Sequence, residues 1–155
     1  MVEATVHQVY KQEKMASTQT VVVLKARDRE RYLPIWISFP QAIEIAQQVQ
    51  GLKTERPTTY NLMAQLVERL GGRLDAVHVT FLEGTIYHAT LRLMVNNTLE
   101  EVDCRPSDAL PLAMAGGAPI FVDDELLSKE GCDSATSFHG DGMGELNLFE
   151  FKDAA

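Results

Sequence analysis

Residues 33–51, LPIWISFPQAIEIAQQVQG, decide the fold, because residues 99–117, LEEVDCRPSDALPLAMAGG, repeat their arrangement. The matching prolines, Pro40 and Pro106, set a constant offset of 66 residues (106 − 40 = 66), at which leucine and glycine also recur in step. A repeat of this kind indicates that one structural unit occurs twice. The chain is therefore predicted to fold as two related units.

Each unit contains two further runs of β-forming residues before the repeated block. These runs are Val2 to Tyr10, Thr18 to Ala26, Arg73 to Leu82 and Ile86 to Val95. The residues after each matching proline have apolar positions at helical spacing and end at glycine, so each unit closes with a helix. The second helix, from about Ser107 to Ala115, contains Pro111 and is expected to be short or irregular at its start. The predicted fold class is α+β, a duplicated three-strand-plus-helix unit with mainly antiparallel sheets.

A linking helix is predicted between the two units, in residues 56–72, RPTTYNLMAQLVERLGG. A threonine caps its start, and Gly71 and Gly72 end it. Its apolar positions, which recur at helical spacing and are expected to form a buried face, are Leu62, Met63, Leu66, Val67 and Leu70.

The chain after the repeat predicts a short strand in APIFV, residues 118–122, followed by a helical turn in DDELL. Residues 134–144, SATSFHGDGMG, predict a loop or a disordered stretch, and ELNLFEF after them is expected to dock as a final strand. We expect a single domain over residues 1–130, with a Gly-rich loop and C-terminal tail over residues 131–155.

Composition restricts the class of protein. The net charge of −8 repels the phosphate backbone, so any contact with nucleic acid must rest on a local site or on metal ions that offset the acids. The sequence has no uninterrupted apolar run of the length that spans a bilayer, and only two cysteines, Cys104 and Cys132, outside any C-x-x-C pair. These features predict a cytoplasmic protein with no membrane partner.

The strand pairing of the second unit follows from its short turns. A two-residue turn at Asn96-Asn97 gathers three polar pairs on one face of the sheet: Arg92 beside Glu101, Thr90 beside Asp103, and His88 beside Arg105. For the preceding hairpin, a three-residue turn with a glycine bulge is preferred over a two-residue turn, because it aligns Val77 with Leu91, Val79 with Ala89, and Phe81 with Tyr87.

The two copies differ in charge where the strand meets the helix. Apolar residues of the first copy correspond to ionisable residues of the second, namely Ile37 to Asp103, Phe39 to Arg105 and Ala42 to Asp108. Since one copy folds without these charges, their presence in the other favours a functional site. The competing interpretation is structural, with Ser107 as a helix N-cap, Asp108 complementing the helix dipole and Arg105 neutralising Asp103.

Three segments, RPTTYNLMAQLVERLGG, EGTIYHATL and EEVDCRPSDALPLAMAGGAPIFV, resemble the bifunctional nuclease domain family in order and spacing. The resemblance runs from about Val2 to Leu127. It implies an α+β domain with duplicated strand-rich units that commonly self-associates, and degradation of both DNA and RNA as reported for some members. Nucleic acid as a partner and a homo-oligomer are expected on this ground.

The family's central motif matches Asp103, Arg105, Pro106, Ser107 and Asp108, and its R-P before the linking helix matches Arg56 and Pro57. Tyr60-Asn61 stands where the family usually has His-Asp, so a general base and a metal ligand are missing from a site built there.

For a nuclease, the candidate catalytic residues are Asp103, Arg105, Ser107 and Asp108. Glu101, Asp103 and Asp108 are the candidate ligands of a divalent metal, magnesium or manganese, which hard oxygen ligands suit. The candidate substrate-binding residues are Arg56, Tyr60, Asn61, His88 and Arg92. We expect Trp36 and Phe39 to pack in the core, and His139 to lie in a polar loop. The alternative to a nuclease is a non-catalytic, oligomeric regulatory or protein-interaction module.

Overall fold

The structure is a computed structural model that describes residues 1–14, 16–137 and 142–148. Its strands are β1 (Val2–Lys14), β2 (Ser17–Ala26), β3 (Tyr32–Ile37), β4 (Gly72–Glu83), β5 (Ile86–Val95), β6 (Thr98–Cys104), β7 (Ile120–Val122) and β8 (Met143–Glu145). Its helices are α1 (Phe39–Val49), α2 (Thr59–Arg69), α3 (Pro106–Gly116) and α4 (Asp124–Glu130).

The repeat predicted from the sequence is confirmed. The strands β1, β2 and β3 precede α1 in the first unit, as β4, β5 and β6 precede α3 in the second, and α2 links the two units. All strands of the described residues lie in one sheet of order β3-β2-β1-β7-β4-β5-β6, and β8 also pairs with β1, outside this order. The short strand β7 joins the units, because it pairs antiparallel with β1 and parallel with β4. The mixed α+β class is therefore correct.

The predicted register of β5 and β6 is also correct. Thr90 faces Asp103 and Arg92 faces Glu101, but the ladder ends at the pair Ala89 and Cys104. Arg105 is the N-cap residue of α3 and lies beyond this ladder.

The register of β4 and β5 is only partly as predicted. Val79 pairs with Ala89 as expected, but a bulge between Val79 and Phe81 moves Phe81 opposite His88. The pairing of Phe81 with Tyr87 is therefore wrong, and the turn has two residues, Gly84 and Thr85. A three-residue turn would contain one residue more than this turn does. That residue lies instead in β4 as the bulge, and a bulge also bends the strand.

The core lies between the curved sheet and the four helices α1, α2, α3 and α4. Fully buried side chains come from both units and include Val22, Leu24, Ile45, Val77, Val79 and Leu110. The sheet curls so far that strands near its two ends meet, with the Tyr87 hydroxyl of β5 donating to the Pro34 carbonyl of β3 at 3.4 Å. This curvature brings the start of α3 close to β3 and α1.

The orientation predicted for α2 is wrong. The side of the helix that faces the protein carries Tyr60 and Ala64, whereas Leu62, Met63, Leu66 and Leu70 are exposed. Tyr60 and Ala64 are four residues apart, so they define a narrow buried stripe of their own. The apolar spacing identified the helix correctly, but it did not identify the side that packs.

The start of α3 also differs from the structural interpretation of the motif. Ser107 lies inside the first turn, and the N-cap residue is Arg105. Pro106 begins the helix, where the missing backbone donor costs no helical hydrogen bond. Pro111 lies within the helix. The C-cap residue after its last residue is Gly117, whose φ of 68° is a left-handed conformation that favours glycine.

The remaining elements follow the repeat. The predicted strand in residues 118–122 is β7, and the predicted helical turn extends to seven residues as α4. The strand β8 pairs with β1, and Leu146 and Leu148 are buried after it. The predicted final strand reaches past residue 148, and His139 with its loop neighbour Asp141 lies in residues 138–141, outside the described residues. Among the described residues, no helix combines the length and the hydropathy that crossing a membrane requires.

Candidate functional site

Asp108, in the first turn of α3, is held by the N-cap residue of its own helix and by a residue of α2. Arg105 Nε donates to Asp108 Oδ2 at 2.7 Å, and the Tyr60 hydroxyl of α2 donates to Asp108 Oδ1 at 2.7 Å. Each carboxylate oxygen therefore has its own donor, one from the start of α3 and one from the linking helix. This fixes the carboxylate and orients the guanidinium of Arg105.

The electrostatics of this cluster keep Asp108 ionised. Burial raises the pKa of Asp108, but the hydrogen bonds from Arg105 and Tyr60 outweigh burial, so the pKa lies below its ordinary value. Burial, followed by the bond to Asp108, raises the pKa of Tyr60 well above the ordinary value of a phenol. The cluster is thus a carboxylate between a permanent cation and a neutral hydroxyl at neutral pH. Its chemistry suits positioning of charge better than transfer of a proton.

Arg105 opens onto a cleft between the two repeated strand ends. The guanidinium side chain is 69% exposed, and it lines a cleft of about 810 Å³ together with Trp36, Ser38, Phe39 and Ser107. A smaller recess beside it, of about 220 Å³, is lined by Ile86 and Tyr87 as well as by Arg105 and Trp36. Asp108 is bonded to Nε, which leaves the other guanidinium donors of Arg105 for a ligand in the cleft.

Trp36 is the feature of this cleft that the sequence did not reveal. We expected it to pack in the core, but its side chain is 50% exposed, and Phe39 is exposed beside it. Both belong to the first repeat, which supplies aromatic surface where the second supplies charge. The sequence did contain one signal. In the alignment of the two copies, Trp36 lies two residues before the position that matches Cys104, and it is therefore close to the position of the charged block.

Asp103 lies apart from Asp108. Its neighbour Cys104 packs against the core, and since side chains alternate along a strand, Asp103 projects from the other face of β6, where its side chain is 88% exposed. His88 Nδ1 is 4.0 Å from Asp103 Oδ1, and its Nε2 is 3.5 Å from Glu83 Oε2. The His88 ring stacks on Phe81 at a centroid distance of 4.2 Å. Asp103 and His88 thus form a second, separate polar group.

Arg92 and Glu101 form a third group on the same face as Asp103. Arg92 Nη1 is 2.6 Å from Glu101 Oε1, and Arg92 Nε is 3.7 Å from Asp75 Oδ2. The carboxylate of Glu101 is therefore paired with the guanidinium of Arg92 on the neighbouring strand. This is the contact that the β5 and β6 register predicts, and it is an ordinary cross-strand ion pair.

The three carboxylates expected to hold a metal do not fit a shared ion in this structure. Glu101 pairs with Arg92, Asp108 is bonded to Arg105 and Tyr60, and Asp103 lies beside His88. Across residues 1–14, 16–137 and 142–148, no group of three or more His, Cys, Asp or Glu side chains is placed to bind a metal. Hard-metal sites need several converging oxygens, which this arrangement does not supply.

Arg56 and Asn61 line a different cleft. It has a volume of about 470 Å³ and lies between α1, α2 and the end of α3, where Lys53, Gln48 and Ala115 also contribute to its wall. Asn61 Nδ2 donates to the Thr58 hydroxyl at 2.8 Å, within the first turn of α2. Of the candidate substrate-binding residues, only Tyr60 therefore contacts the Asp108 cluster directly.

Comparison with known proteins identifies relatives of this arrangement. The model of the bifunctional nuclease domain matches residues 22–135, which include all the candidate site residues. An uncharacterized protein of Mycobacterium tuberculosis is 37% identical over 114 residues, which cover 73% of this chain and 67% of that protein. Bifunctional nuclease 1 of Arabidopsis thaliana is 32% identical over 114 residues, covering 71% of this chain and 35% of that protein.

Bifunctional nuclease 1 of Oryza sativa subsp. japonica is 29% identical over 114 residues, which cover 71% of this chain and 34% of that protein. The chain thus spans about a third of the length of these plant relatives. The similarity covers the repeat, the linking helix and the charged block.

Proposed function

The chain belongs to the bifunctional nuclease domain family, and from this premise we propose that it hydrolyses phosphodiester bonds of DNA or RNA in the cleft beside Arg105. Membership supports a nuclease-like function at the level of the family. The residues that perform it, and the substrate that they act on, are the content of the proposal.

One observation carries the proposal. An exposed guanidinium, held in one orientation by Asp108, shares a cleft with the exposed indole of Trp36. Arginine binds phosphate oxygens through paired donors, and an exposed aromatic ring stacks on nucleobases. Arg105 would bind the phosphate and Trp36 a neighbouring base of a strand lying in the cleft. This local site is how a chain with a net charge of −8 would bind a polyanion.

In this proposal Asp108 is a positioning residue. Its two oxygens are bonded to Arg105 and Tyr60, so it holds the guanidinium towards the cleft. Tyr60 supplies a neutral hydroxyl at this point. Ser107 lies in the same cleft, and its hydroxyl is available to orient a phosphate oxygen or a water.

Magnesium or manganese assistance remains a separate prediction. Because Glu101, Asp103 and Asp108 do not converge on one point, we derive no catalytic step through a metal. Adding either ion to protein treated with a chelator, and measuring cleavage of the same substrate, tests this prediction independently of the cleft.

The proposal is tested by incubating the protein with end-labelled single-stranded DNA and RNA oligonucleotides and separating the products by size. Arg105→Ala is expected to lower the rate at least tenfold, since a charge-assisted contact to phosphate is worth about 1.5–3 kcal/mol. The matched control is Arg73→Ala, because Arg73 is 72% exposed and has an acidic partner, Asp75, at 3.8 Å outside the cleft.

Equal cleavage by wild type and Arg105→Ala would show that the activity arises elsewhere or from a contaminant. The variant Asp103→Asn then distinguishes the two faces of β6. Loss of cleavage in Asp103→Asn with retention in Arg105→Ala would place the chemistry at the His88 group and would contradict the proposed cleft.

The second candidate function is a non-catalytic binding module. Its support is that both oxygens of Asp108 are satisfied within the chain, as a purely structural cluster would require. The fluorescence of Trp36, the only tryptophan, separates the candidates. Quenching by an oligonucleotide without any cleavage would favour binding alone, and neither quenching nor cleavage would favour a protein partner.

A further inference from the structure

The sheet has a gap beside the Arg105 cleft, between the start of β5 and β3. The ladder of β5 with β6 ends at the pair Ala89 and Cys104, so residues 86–88 pair with β4 alone. Across from them lies β3, where the Tyr87 hydroxyl reaches the Pro34 carbonyl at 3.4 Å. In the sheet of the described residues, β3 and β5 are not neighbouring strands, so this side of residues 86–88 stays open.

The recess of about 220 Å³ lies in this gap. Residues 35–37 of β3, residues 85–87 at the start of β5 and residues 105–107 at the start of α3 line it. Trp36 and Ile86 are 50% and 64% exposed, and they come from the two strands on either side of the gap. The recess therefore has one exposed apolar side chain from each strand, and it shares Arg105 with the larger cleft.

The size and the lining of the recess restrict what it can hold. Its volume of about 220 Å³ is below the range of about 300–1,000 Å³ that is typical of pockets for whole small molecules, which indicates room for a single ring system. Its wall is mostly apolar, and the guanidinium of Arg105 lies at its border with the larger cleft. A planar ring joined to an anionic group matches this lining. In a nucleic acid, these two groups are a base and the adjoining phosphate.

A base can enter such a recess only when it is unpaired. In a duplex each base is stacked on its neighbours and bonded to the opposite strand, so it must be flipped out before a protein pocket can hold it. Stacking of an unpaired base on an aromatic side chain is favourable for every base, because every base has a π-face. The recess therefore favours an unpaired nucleotide over a paired one.

We propose that one unpaired base of a nucleic-acid strand inserts into the recess between Trp36 and Ile86, while Arg105 binds the adjoining phosphate. Ile86, which lies outside the charged block, is then a binding residue. This proposal rests on the proposed function, because it takes the ligand of the Arg105 cleft to be a nucleic acid. It adds that the affinity depends on the base as well as on the phosphate.

The test compares fluorescein-labelled probes by fluorescence anisotropy. The probes are a short oligothymidylate, the same strand without its bases, and the duplex of oligothymidylate with oligodeoxyadenylate. Phosphorothioate linkages slow hydrolysis, and separation by size checks that each probe stays intact. The wild type is expected to bind the abasic strand about tenfold more weakly than oligothymidylate, as the loss of one stacked base predicts. The duplex should also bind more weakly than oligothymidylate, since its bases are paired.

Variants separate the base contact from the phosphate contact. Ile86→Ala and Trp36→Ala should each lower the affinity for oligothymidylate about fivefold or more, because the apolar contact with the base is lost, and should leave the affinity for the abasic strand unchanged. Arg105→Ala should weaken the binding of both strands by the same factor. The matched control is Val102→Ala, an exposed β-branched residue of β6 outside both cavities, which should bind every probe as the wild type does. Circular dichroism checks that each variant is folded.

Three results would overturn the base recess alone. They are equal affinity of the wild type for oligothymidylate and the abasic strand, equal affinity for oligothymidylate and the duplex, and an unchanged preference for oligothymidylate in Ile86→Ala. If Arg105→Ala still weakens binding in any of these cases, the proposed function stands without the recess. If the wild type binds none of the probes, the proposed function is overturned together with the recess.

Discussion

Asp108 shows how a single residue couples distant parts of the chain. Its bond to Arg105 spans three residues, but its bond to Tyr60 spans 48. The second bond ties the linking helix to the start of α3. Because the carboxylate is ionised and partly buried, each of these two hydrogen bonds is charge-assisted. Such a bond is stronger than a hydrogen bond between neutral groups.

Tyr60→Phe removes the hydroxyl that binds Asp108 and keeps the ring. We expect a loss of about 2 kcal/mol in the free energy of unfolding at pH 7, typical of a hydrogen bond to a charged group. Urea denaturation measures it. The matched control is Tyr87→Phe, whose hydroxyl makes a longer bond of 3.4 Å to a carbonyl, and which should cost less than about 0.5 kcal/mol.

The pH dependence of this loss has a definite sign. The pKa of Asp108 is lowered in the folded protein, so the stability that its bonds contribute is present above the unfolded value of about 3.9 and is lost as pH falls through the folded pKa. The difference between wild type and Tyr60→Phe should therefore shrink from pH 7 towards pH 2. A difference that is constant over this range would mean that Tyr60 contributes through packing alone.

Residue-scale prediction from the sequence succeeded where partners are close along the chain. The cross-strand pair of Arg92 and Glu101 follows from a short turn. The pairing of Arg105 with Asp103 was wrong, because Arg105 caps α3 and bonds Asp108, three residues further along the chain. Tyr60 and Trp36 reach the cluster through tertiary packing, and one sequence alone contains no rule that brings positions so far apart together.

At the scale of elements, α4 is attached to the start of β3 by close backbone contacts. Arg31 donates to the carbonyls of Leu127 and Ser128 at the end of α4, and Tyr32 and Cys132 exchange backbone hydrogen bonds. Gly131 lies between them. A Cβ there would be 2.3 Å from the Leu127 oxygen and 3.1 Å from the Tyr32 oxygen, so the contact excludes any larger residue.

Gly131→Ala should therefore separate α4 from β3. We expect a cost of about 2–3 kcal/mol, in the range of overpacked sites, because the atoms in the way are backbone atoms that cannot turn aside. Gly144→Ala is the control, since a Cβ at Gly144 in β8 meets nothing within 4 Å, and it should change stability by less than about 0.5 kcal/mol. Equal midpoints in urea for the two variants would refute the tight contact.

The elements themselves were predictable because their ends carry strong local signals. Proline at the start and glycine past the end defined α1 and α3, and Asn96-Asn97 fixed the hairpin that aligns β5 with β6. The buried side of α2 was not predictable, since apolar spacing reports that a helix has an apolar face without saying whether that face meets its own chain or another. The bulge in β4 was missed because the extra residue fits either the turn or the strand.

At the scale of the whole molecule, the two units share one core and one sheet. Buried residues of β2 and of β4 belong to the same cluster, and β7 is paired with a strand of each unit. The duplication is therefore one of sequence and topology, and we expect the units to unfold together in a single transition.

Val79→Ala tests this cooperativity. Val79 is fully buried in the second unit, and its truncation should cost about 1–3 kcal/mol. Trp36 is in the first unit, so its fluorescence should report the same shift in the urea midpoint as far-UV circular dichroism, which follows both units. Val22→Ala, in the first unit, should also shift the urea midpoint equally in Trp36 fluorescence and in far-UV circular dichroism. A Trp36 transition that Val79→Ala leaves unmoved would show that the units unfold separately.

The position of β7 in the chain also orders events during translation. Residues 120–122 join β1 to β4, yet the strands β1 to β6 are all synthesised earlier. Until β7 emerges from the ribosome, β1 and β4 each present an open edge, with which another nascent chain can pair. Slow decoding just before Ile120 would lengthen that exposed interval, so synonymous codon choice there should govern how much newly made protein reaches the soluble, folded state.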